Sequence, residues 1–220
     1  MKHLRTIILL LLILAVLVVS CDGQLNQGTD PSTERELNQD NYDAIAYLGV
    51  VVMTHTTLHF DVAFAAEDFE PNLPIDIDWE NSLEILITDL LDPVNMTADI
   101  SWDNFDVGAS IKYLASLEGN NGPLFQANNY RLFDFIEEGQ LIVNGSATTL
   151  GNPAEVTLEI ELEINDLDFE NAPNGTYTIE LKLQNFNPDN IGGLTVVEAL
   201  VNDLEAEPDI SDLAPAQDPD

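Results

Sequence analysis

The alternation of apolar and acidic residues between Val156 and Ile164 constrains the fold more than any other feature of this chain. Every second residue is apolar and three of the residues between them are glutamates, a pattern typical of a strand with one buried and one solvated face. The same period of two recurs at 75–80 and 177–183. Such strands predict a mainly β, antiparallel meander, built either as a sandwich or as a curved, partly closed sheet.

Two Asn-Gly pairs give turn signals within this pattern. Asn174-Gly175 stands just before the segment 177–183 and predicts a tight turn that joins it to 156–164 as a long hairpin. Asn144-Gly145 is a second signal, although a strand could also run through it.

A shared ending links six of the predicted strands. Each has an apolar residue, a spacer, an Asp or Asn, and then Leu or Phe, so the alternation slips by one residue at the Asx position. A β-bulge or a strand-terminal turn produces such a slip, and Asx residues tolerate the left-handed conformation. We therefore expect bulges or turns here, with the next Leu or Phe entering the core; the alternative is that Asx simply ends strands in any β protein. The six positions are Asp89, Asn104, Asp134, Asp166, Asn185 and Asp203.

One helix is predicted before the strands. Apolar residues recur at spacings of three and four from Tyr42 to Met53, and Asn38, Asp40 and Asn41 are good N-caps. The pattern indicates a helix from Asp40 to Thr54. Because Val50–Val52 is β-branched, a strand from Leu48 onward is the rival interpretation.

The first 21 residues have the parts of an export signal. Lys2, His3 and Arg5 form a positive start, an apolar run extends from Ile7 to Val19, and the segment ends in Val18-Val19-Ser20-Cys21. The run is shorter than the roughly 20 residues that span a bilayer. The only cysteine of the chain stands where a lipobox ends, and the segment therefore resembles that of a bacterial lipoprotein.

This resemblance implies that residues 1–20 are removed and that Cys21 is acylated. The protein would then be anchored to a membrane of the bacterial cell envelope, facing the periplasm or the cell exterior. Asp22 resembles the inner-membrane retention signal of enteric bacteria, but inner and outer membrane both stay open. The arrangement of the rest of the chain is similar to uncharacterised proteobacterial envelope lipoproteins, which carry no agreed activity to transfer.

Composition divides the exported chain into three parts. Residues 21–36 are polar and predict a flexible tether behind the lipidated Cys21. Residues 37–204 form the single β-rich domain, and the acidic, proline-containing residues 205–220 predict a disordered tail.

Charge limits the partners. Without the signal peptide, four basic residues face all 40 acidic ones. Nucleic acids and other polyanions are excluded, because their recognition requires Lys and Arg. The acidity serves either solvation and salt adaptation or the binding of divalent cations.

A transition-metal site is the first chemical hypothesis. His55 and His59 are the two histidines after the signal peptide, and their spacing of four places them on one face of a helix or strand. With Asp61 they would offer two imidazoles and a carboxylate, a ligand set that suits zinc. Thr56 stands where a HExxH motif has its glutamate. Two histidines at such a junction are also compatible with plain polar surface.

A calcium site is the second hypothesis. Asp166, Asp168 and Glu170 form a dense group of oxygen ligands, although Asn171 stands where an EF-hand loop has its glycine. Apart from the transition metal of the first hypothesis, Ca²⁺ is the one cofactor that the sequence suggests. No catalytic constellation is recognisable, so we expect no enzyme.

Two functions follow from the sequence. The first is a structural or interaction module that binds another envelope protein and has a filled core. The second is a carrier of a lipid or other apolar ligand, with the sheet curved around a cavity and the helix as lid. A hydrophobic cavity of several hundred Å³ distinguishes the two functions, because the carrier requires such a cavity and the module does not.

Overall fold

The computed structural model describes residues 36–59, 75–116, 139–187 and 191–213. The predicted signal peptide, Cys21 and most of the predicted tether lie outside these ranges. The helices and strands are α1 Gln39–Thr56, β1 Ile75–Trp79, β2 Leu83–Thr88, β3 Thr97–Asp106, α2 Val107–Ser116, β4 Gln140–Leu150, β5 Ala154–Asn165, β6 Gly175–Phe186, β7 Thr195–Val201 and β8 Leu204–Glu205. Two 3-10 turns lie at Ile191–Gly193 and Ser211–Leu213.

The eight strands form one antiparallel sheet in sequence order. The prediction of a mainly β meander behind an N-terminal helix is therefore confirmed. Of the two architectures that the sequence left open, the strands adopt a single sheet.

One face of the sheet is buried and the other is solvated. Strand β5 alternates buried and exposed residues without a break from Ala154 to Ile164, and β6 does the same from Tyr177 to Leu183. In the ladder between them Ile160 lies opposite Ile179 on the buried face, and Glu159 lies opposite Glu180 on the solvated face. The apolar residues of the alternating pattern thus lie on the buried face of the sheet, and the polar residues between them lie on the solvated face.

Helix α1 begins at an asparagine capping box. The Asn38 side chain accepts a hydrogen bond from the Asn41 backbone N–H at 3.0 Å, and the Asn41 side chain accepts one from the Asn38 N–H at 3.0 Å. These bonds satisfy two donors that a helix N-terminus otherwise leaves unpaired.

The rival strand from Leu48 onward is wrong, because the helix continues to Thr56. In its β-branched second half, the buried threonine hydroxyl groups form hydrogen bonds to carbonyl oxygens of the preceding turn. Thr54 Oγ1 donates to the carbonyl oxygens of Val50 and Val51 at 3.1 and 2.9 Å, and Thr56 Oγ1 donates to that of Val52 at 2.8 Å. The threonines therefore enter the core without unpaired hydroxyls.

The second half of helix α1 is buried all round, and the helix lies directly on the sheet. The consecutive residues 50–56 are all buried, and because successive helical residues point 100° apart, they cover the whole circumference. At Gly49 the backbone approaches β6 so closely that a Cβ there would lie 3.0 Å from Leu181 Cδ1 and 3.1 Å from Ile179 Cγ2.

A second helix, α2, was not predicted. Its signal is nonetheless present, because Val107, Ser110, Ile111 and Leu114 recur at helical spacing and all four are buried. The Asp106 carboxylate accepts a hydrogen bond from the Ala109 backbone N–H at 2.9 Å and caps the helix. The predicted strand ending at Asn104 and Phe105 lies just before this helix.

The Asx residues adopt the predicted conformation. The structure describes five of the six positions, and all five have φ values between 51° and 65°, in the left-handed region; Asp134 lies outside the described residues. The five are Asp89, Asn104, Asp166, Asn185 and Asp203.

Two of these residues lie where a strand ladder shifts register. Asn104 falls between Trp102 and Phe105, where the pairing of β3 with β4 is interrupted. Asn185 falls in β6, where the pairing with β5 shifts. A bulge of this kind turns the next side chain to the opposite face, which explains the slip in the alternation.

The expected inward turn of the following Leu or Phe holds at three positions. Phe105, Leu167 and Phe186 are buried, and Leu90 is half-buried. For Leu204 the expectation is wrong: it is 50% exposed, because it opens the two-residue strand β8 at the edge of the sheet.

The predicted hairpin of β5 and β6 is confirmed, but its tight turn is wrong. The strands pair from Ile164 and Gly175 onward, and residues 166–174 form a loop between them. Asp166 and Asn174 close the loop: the Asp166 N–H donates to Asn174 Oδ1 at 2.8 Å, and Asn174 Nδ2 donates to Asp166 Oδ1 at 2.7 Å. The Asn174 side chain therefore joins the two ends of a loop and does not form a tight turn.

Asn144-Gly145 does not form a turn, because strand β4 continues through both residues. Gly145 lies within β4 at φ 129°, and a Cβ there would lie 2.4 Å from the Glu159 carbonyl oxygen. The glycine therefore permits the close approach of β4 and β5 rather than a reversal of the chain.

The structure describes residues 205–213 of the segment that the sequence analysis placed in an acidic tail. The Ala206 N–H donates to the Ala199 carbonyl oxygen at 2.9 Å, and the Glu207 N–H donates to Asp43 Oδ1 of α1 at 2.7 Å. One backbone hydrogen bond to β7 and one bond to a side chain of α1 therefore hold the start of this segment against β7 and the first turns of α1.

Replacing Asn185 by valine tests the left-handed Asx position. We expect Asn185→Val to lower the free energy of unfolding by about 1–2 kcal/mol, because a β-branched side chain is strained at φ 57°. The matched control is Gln184→Val on the adjacent exposed residue of β6, where we expect little change. Chemical denaturation measures both, and equal losses for the two variants would contradict the assignment.

Candidate functional site

A buried polar cluster lies where the two helices meet. It consists of His55 in the last turn of α1, His59 four residues later, and Ser110 in α2; we call it the His–Ser cluster. All three are at most 2% exposed. Histidine and serine are seldom buried this completely without hydrogen-bond partners.

Both imidazoles converge on one hydroxyl. Nε2 of His55 lies 3.0 Å from Ser110 Oγ, and Nε2 of His59 lies 2.7 Å from the same oxygen. A hydroxyl has one proton and two lone pairs, so it can donate to one imidazole while it accepts from the N–H of the other. Ser110 is thereby the link between α1 and α2.

Aromatic rings enclose the cluster. The centroid of the Phe105 ring lies 6.4 Å from that of His55 and 6.2 Å from that of His59, and the Trp79 ring lies 5.8 Å from His59. Nearby, Trp102 Nε1 donates a hydrogen bond to Thr56 Oγ1 at 3.1 Å. Side chains of β1 and β3 thus cover the end of α1 with apolar surface.

Burial keeps both histidines neutral. Removal from water disfavours the imidazolium and lowers the pKa of His55 to about 3, with a smaller contribution from the neighbouring His59. Burial likewise lowers the pKa of His59 to about 4. At neutral pH the His–Ser cluster therefore has no charge.

The structure brings together two of the three residues of the proposed transition-metal site. His55 and His59 share one hydrogen-bond partner, and Asp61 lies outside the described residues. Neutral imidazoles are the form that binds metals. Within the described ranges, however, no three His, Cys, Asp or Glu side chains are grouped so that they could hold a metal ion.

The three residues of the proposed calcium site are all exposed, in the loop between β5 and β6 and at its neck. Asp166 already accepts a hydrogen bond from Asn174, whereas Asp168 and Glu170 lie on either side of Phe169, whose ring stacks on Tyr47 of α1 at 5.6 Å between centroids. Phe169 thus holds the loop against α1.

Ser110 was not among the predicted site residues. Its signal was the position of a small polar residue on the apolar stripe of α2, between Val107 and Ile111. The distance from its hydroxyl to His59 is typical of a nucleophile and its base. Ser110 is nevertheless fully buried, which gives a substrate no access to Oγ in this structure.

The exposed face of the sheet is acidic. Glu159, Glu161 and Glu163 follow one another along β5, and Lys182 of β6 forms an ion pair with Glu198 of β7. The hydrogen bond to Glu198 is the main reason that the pKa of Lys182 is raised. Both partners of this pair are well exposed, so it contributes little to stability.

Comparisons with protein families, with curated proteins and with solved structures find no match for this chain. Among the helices of the described residues, none combines the length and the apolar composition needed to cross a membrane.

Acid should destabilise the protein through the His–Ser cluster. Because the pKa values of His55 and His59 are lower in the folded chain than the ordinary 6.5, the unfolded chain binds more protons between pH 6.5 and about 4. Stability therefore falls as the pH is lowered through this window, by up to about 1.4 kcal/mol per pH unit for each histidine.

The control is a double variant, His55→Gln with His59→Gln, which cannot ionise at these positions. Denaturation curves at several pH values should show lower stability at pH 7 but a shallower loss toward pH 4 for the variant. The carboxylates titrate in both proteins, so their contribution cancels in the comparison. Parallel curves would show that the buried histidines do not control the acid response.

Proposed function

We propose that the chain is a lipid-anchored protein of the bacterial envelope whose β domain is an interaction module. The anchor is supported by the export signal and by Cys21 at the end of the lipobox. Lipid at Cys21 would attach the protein to a membrane, and the polar residues after it would separate the domain from the bilayer.

The packing of α1 on the sheet is the observation that favours a module over a carrier. Gly49 brings the helix backbone into contact with Leu181 and Ile179 of β6. No space for an apolar ligand is left between α1 and this part of the sheet. In this part of the sheet, the apolar face that a carrier would offer to its ligand is already covered by the protein's own helix.

The solvated face of the sheet also suits a module better. A depression of about 120 Å³ lies there over β5, β6 and β7, and its lining includes Glu159, Glu180, Glu198 and Lys182. This volume is below the 300–1,000 Å³ that is usual for small-molecule sites, and the charged lining is unsuited to a lipid.

The acidic composition selects the kind of partner. Four basic residues after the signal peptide cannot form the Lys- and Arg-rich surface that nucleic acids or anionic headgroups require. We therefore propose another envelope protein as the partner of the domain.

Mass spectrometry of the full chain, expressed in a bacterial host and extracted with mild detergent, tests the anchor and the module together. Under denaturing conditions we expect the mass of residues 21–220 plus the diacylglyceryl group and amino-terminal acyl chain of a lipoprotein. Under native conditions we expect the same mass with no additional bound lipid. The Cys21→Ala variant should lack the acyl groups.

The two parts of the proposal fail separately. An unacylated wild-type chain would refute the anchor. A further lipid-sized mass that is released only on denaturation would refute the module and establish the carrier.

A further inference from the structure

Three strongly exposed apolar side chains lie together at one end of the sheet. Leu91 and Val94, in the loop between β2 and β3, are 57% and 74% exposed, and Leu150, at the end of β4, is 52% exposed. We call these three residues the distal tip. Scattered single apolar residues are normal on a surface, whereas a group of them marks an interaction site.

Backbone hydrogen bonds join the two segments that carry the distal tip. The Gly151 N–H donates to the Met96 carbonyl oxygen at 2.8 Å, and the Asn152 N–H donates to that of Pro93 at 2.8 Å. The loop after β2 and the turn after β4 therefore form one continuous surface.

The loop that presents Val94 has a fixed conformation. The Asp92 carboxylate accepts hydrogen bonds from the Val94 N–H at 3.1 Å and from Asn95 Nδ2 at 2.8 Å, and the Met96 N–H donates to the Asp92 carbonyl oxygen at 2.8 Å. These two bonds to its carboxylate lower the pKa of Asp92.

The turn does not need an apolar residue at its apex. Val94 contributes only its backbone N–H to the hydrogen bonds of the turn, so a polar residue at position 94 would form the same turn. A fixed loop that exposes valine suits binding, because little conformational entropy is lost when a partner covers it.

The distal tip lies at the end of the sheet opposite the start of α1. Asn41, near the start of α1, donates a hydrogen bond from Nδ2 to the Asn171 carbonyl oxygen in the loop that follows β5. Leu150 of the distal tip lies at the other end of β5, just before the turn that leads into this strand. The 12 residues of β5 separate these ends by roughly 40 Å. The start of α1, where the chain enters the domain, therefore lies at the end remote from the distal tip.

Charge selects the partner. Asp89 and Asp92 are exposed on the same loop, and neither 89–96 nor 150–153 contains Lys or Arg. An anionic membrane or a second copy of this acidic chain would meet like charge here. An apolar depression bordered by basic side chains fits both the apolar apex and its acidic border.

We infer that the distal tip is the surface by which the domain docks on a partner envelope protein, with an apolar depression bordered by Lys or Arg side chains. This inference rests on the proposed function, because it names the surface and the partner chemistry of the interaction module.

Site-specific photocross-linking of the full-length chain in cells of its source bacterium tests the inference. A benzophenone amino acid replaces Val94 in one variant and Val197, which is 53% exposed on β7, in the control. We expect a discrete protein adduct from position 94 and none from position 197. Mass spectrometry then identifies the adduct.

The identified partner is purified, and its binding to the full-length lipoprotein is measured at low and high salt. We expect Val94→Asp to weaken binding at least tenfold, Val197→Asp to leave it unchanged, and salt to weaken it for the unsubstituted chain. The inference is overturned by the absence of an adduct at 94, by adducts to lipid or to a second copy, or by binding that is insensitive to Val94→Asp.

Fractionation of the same cells separates this failure from failure of the proposed function. If the chain is acylated and membrane-bound but position 94 gives no protein adduct, the docking surface is wrong while the anchor stands. If the chain is not acylated, the proposed anchor itself fails.

Discussion

The enclosure of helix α1 is the constraint on which the rest of the structure depends. Its residues 50–56 are buried on every side, so other parts of the protein surround this half of the helix. The alternating apolar residues of β5 and β6 supply one wall, with Gly49 allowing close contact. Burial of apolar surface is the main favourable contribution to folding in general, at roughly 25 cal/mol per Å².

This enclosure also buries the polar end of the helix, which needs hydrogen-bond partners. The His–Ser cluster supplies them, since Ser110 of α2 lies within hydrogen-bond distance of both imidazoles and Trp102 donates to Thr56. A single polar residue of α2 therefore fixes how the two helices meet. Burial favours the neutral form of both histidines, so protonation costs stability and couples the fold to pH.

Much of the fold was predictable because its signals are local. Alternation predicted β1, β5 and β6, helical spacing predicted α1, and the slipped Asx positions predicted left-handed residues such as Asn104 and Asn185. These features depend on the backbone preferences of a few neighbouring residues, which the sequence shows directly.

What escaped prediction depends on contacts between distant residues. Ser110 lies 55 residues from His55 in the chain, so no local pattern joins them. Asn174 was interpreted as part of a turn, but its side chain bonds to Asp166 across a loop. The distal tip likewise arises because β4 pairs with β3 and brings two separate loops together. Which residues come into contact at such sites depends on the folded chain and is not visible in a local sequence pattern.

Amide hydrogen exchange along α1 tests the central claim most directly. A helix that fills the core should open only with the whole domain, so amides of Val50–Met53 should exchange as slowly as those of Leu158–Leu162 in β5. Equal and strong protection of the two segments is the predicted result. Exchange in α1 that is at least a hundredfold faster than in β5 would show a helix that opens by itself, as a lid does, and would contradict the account.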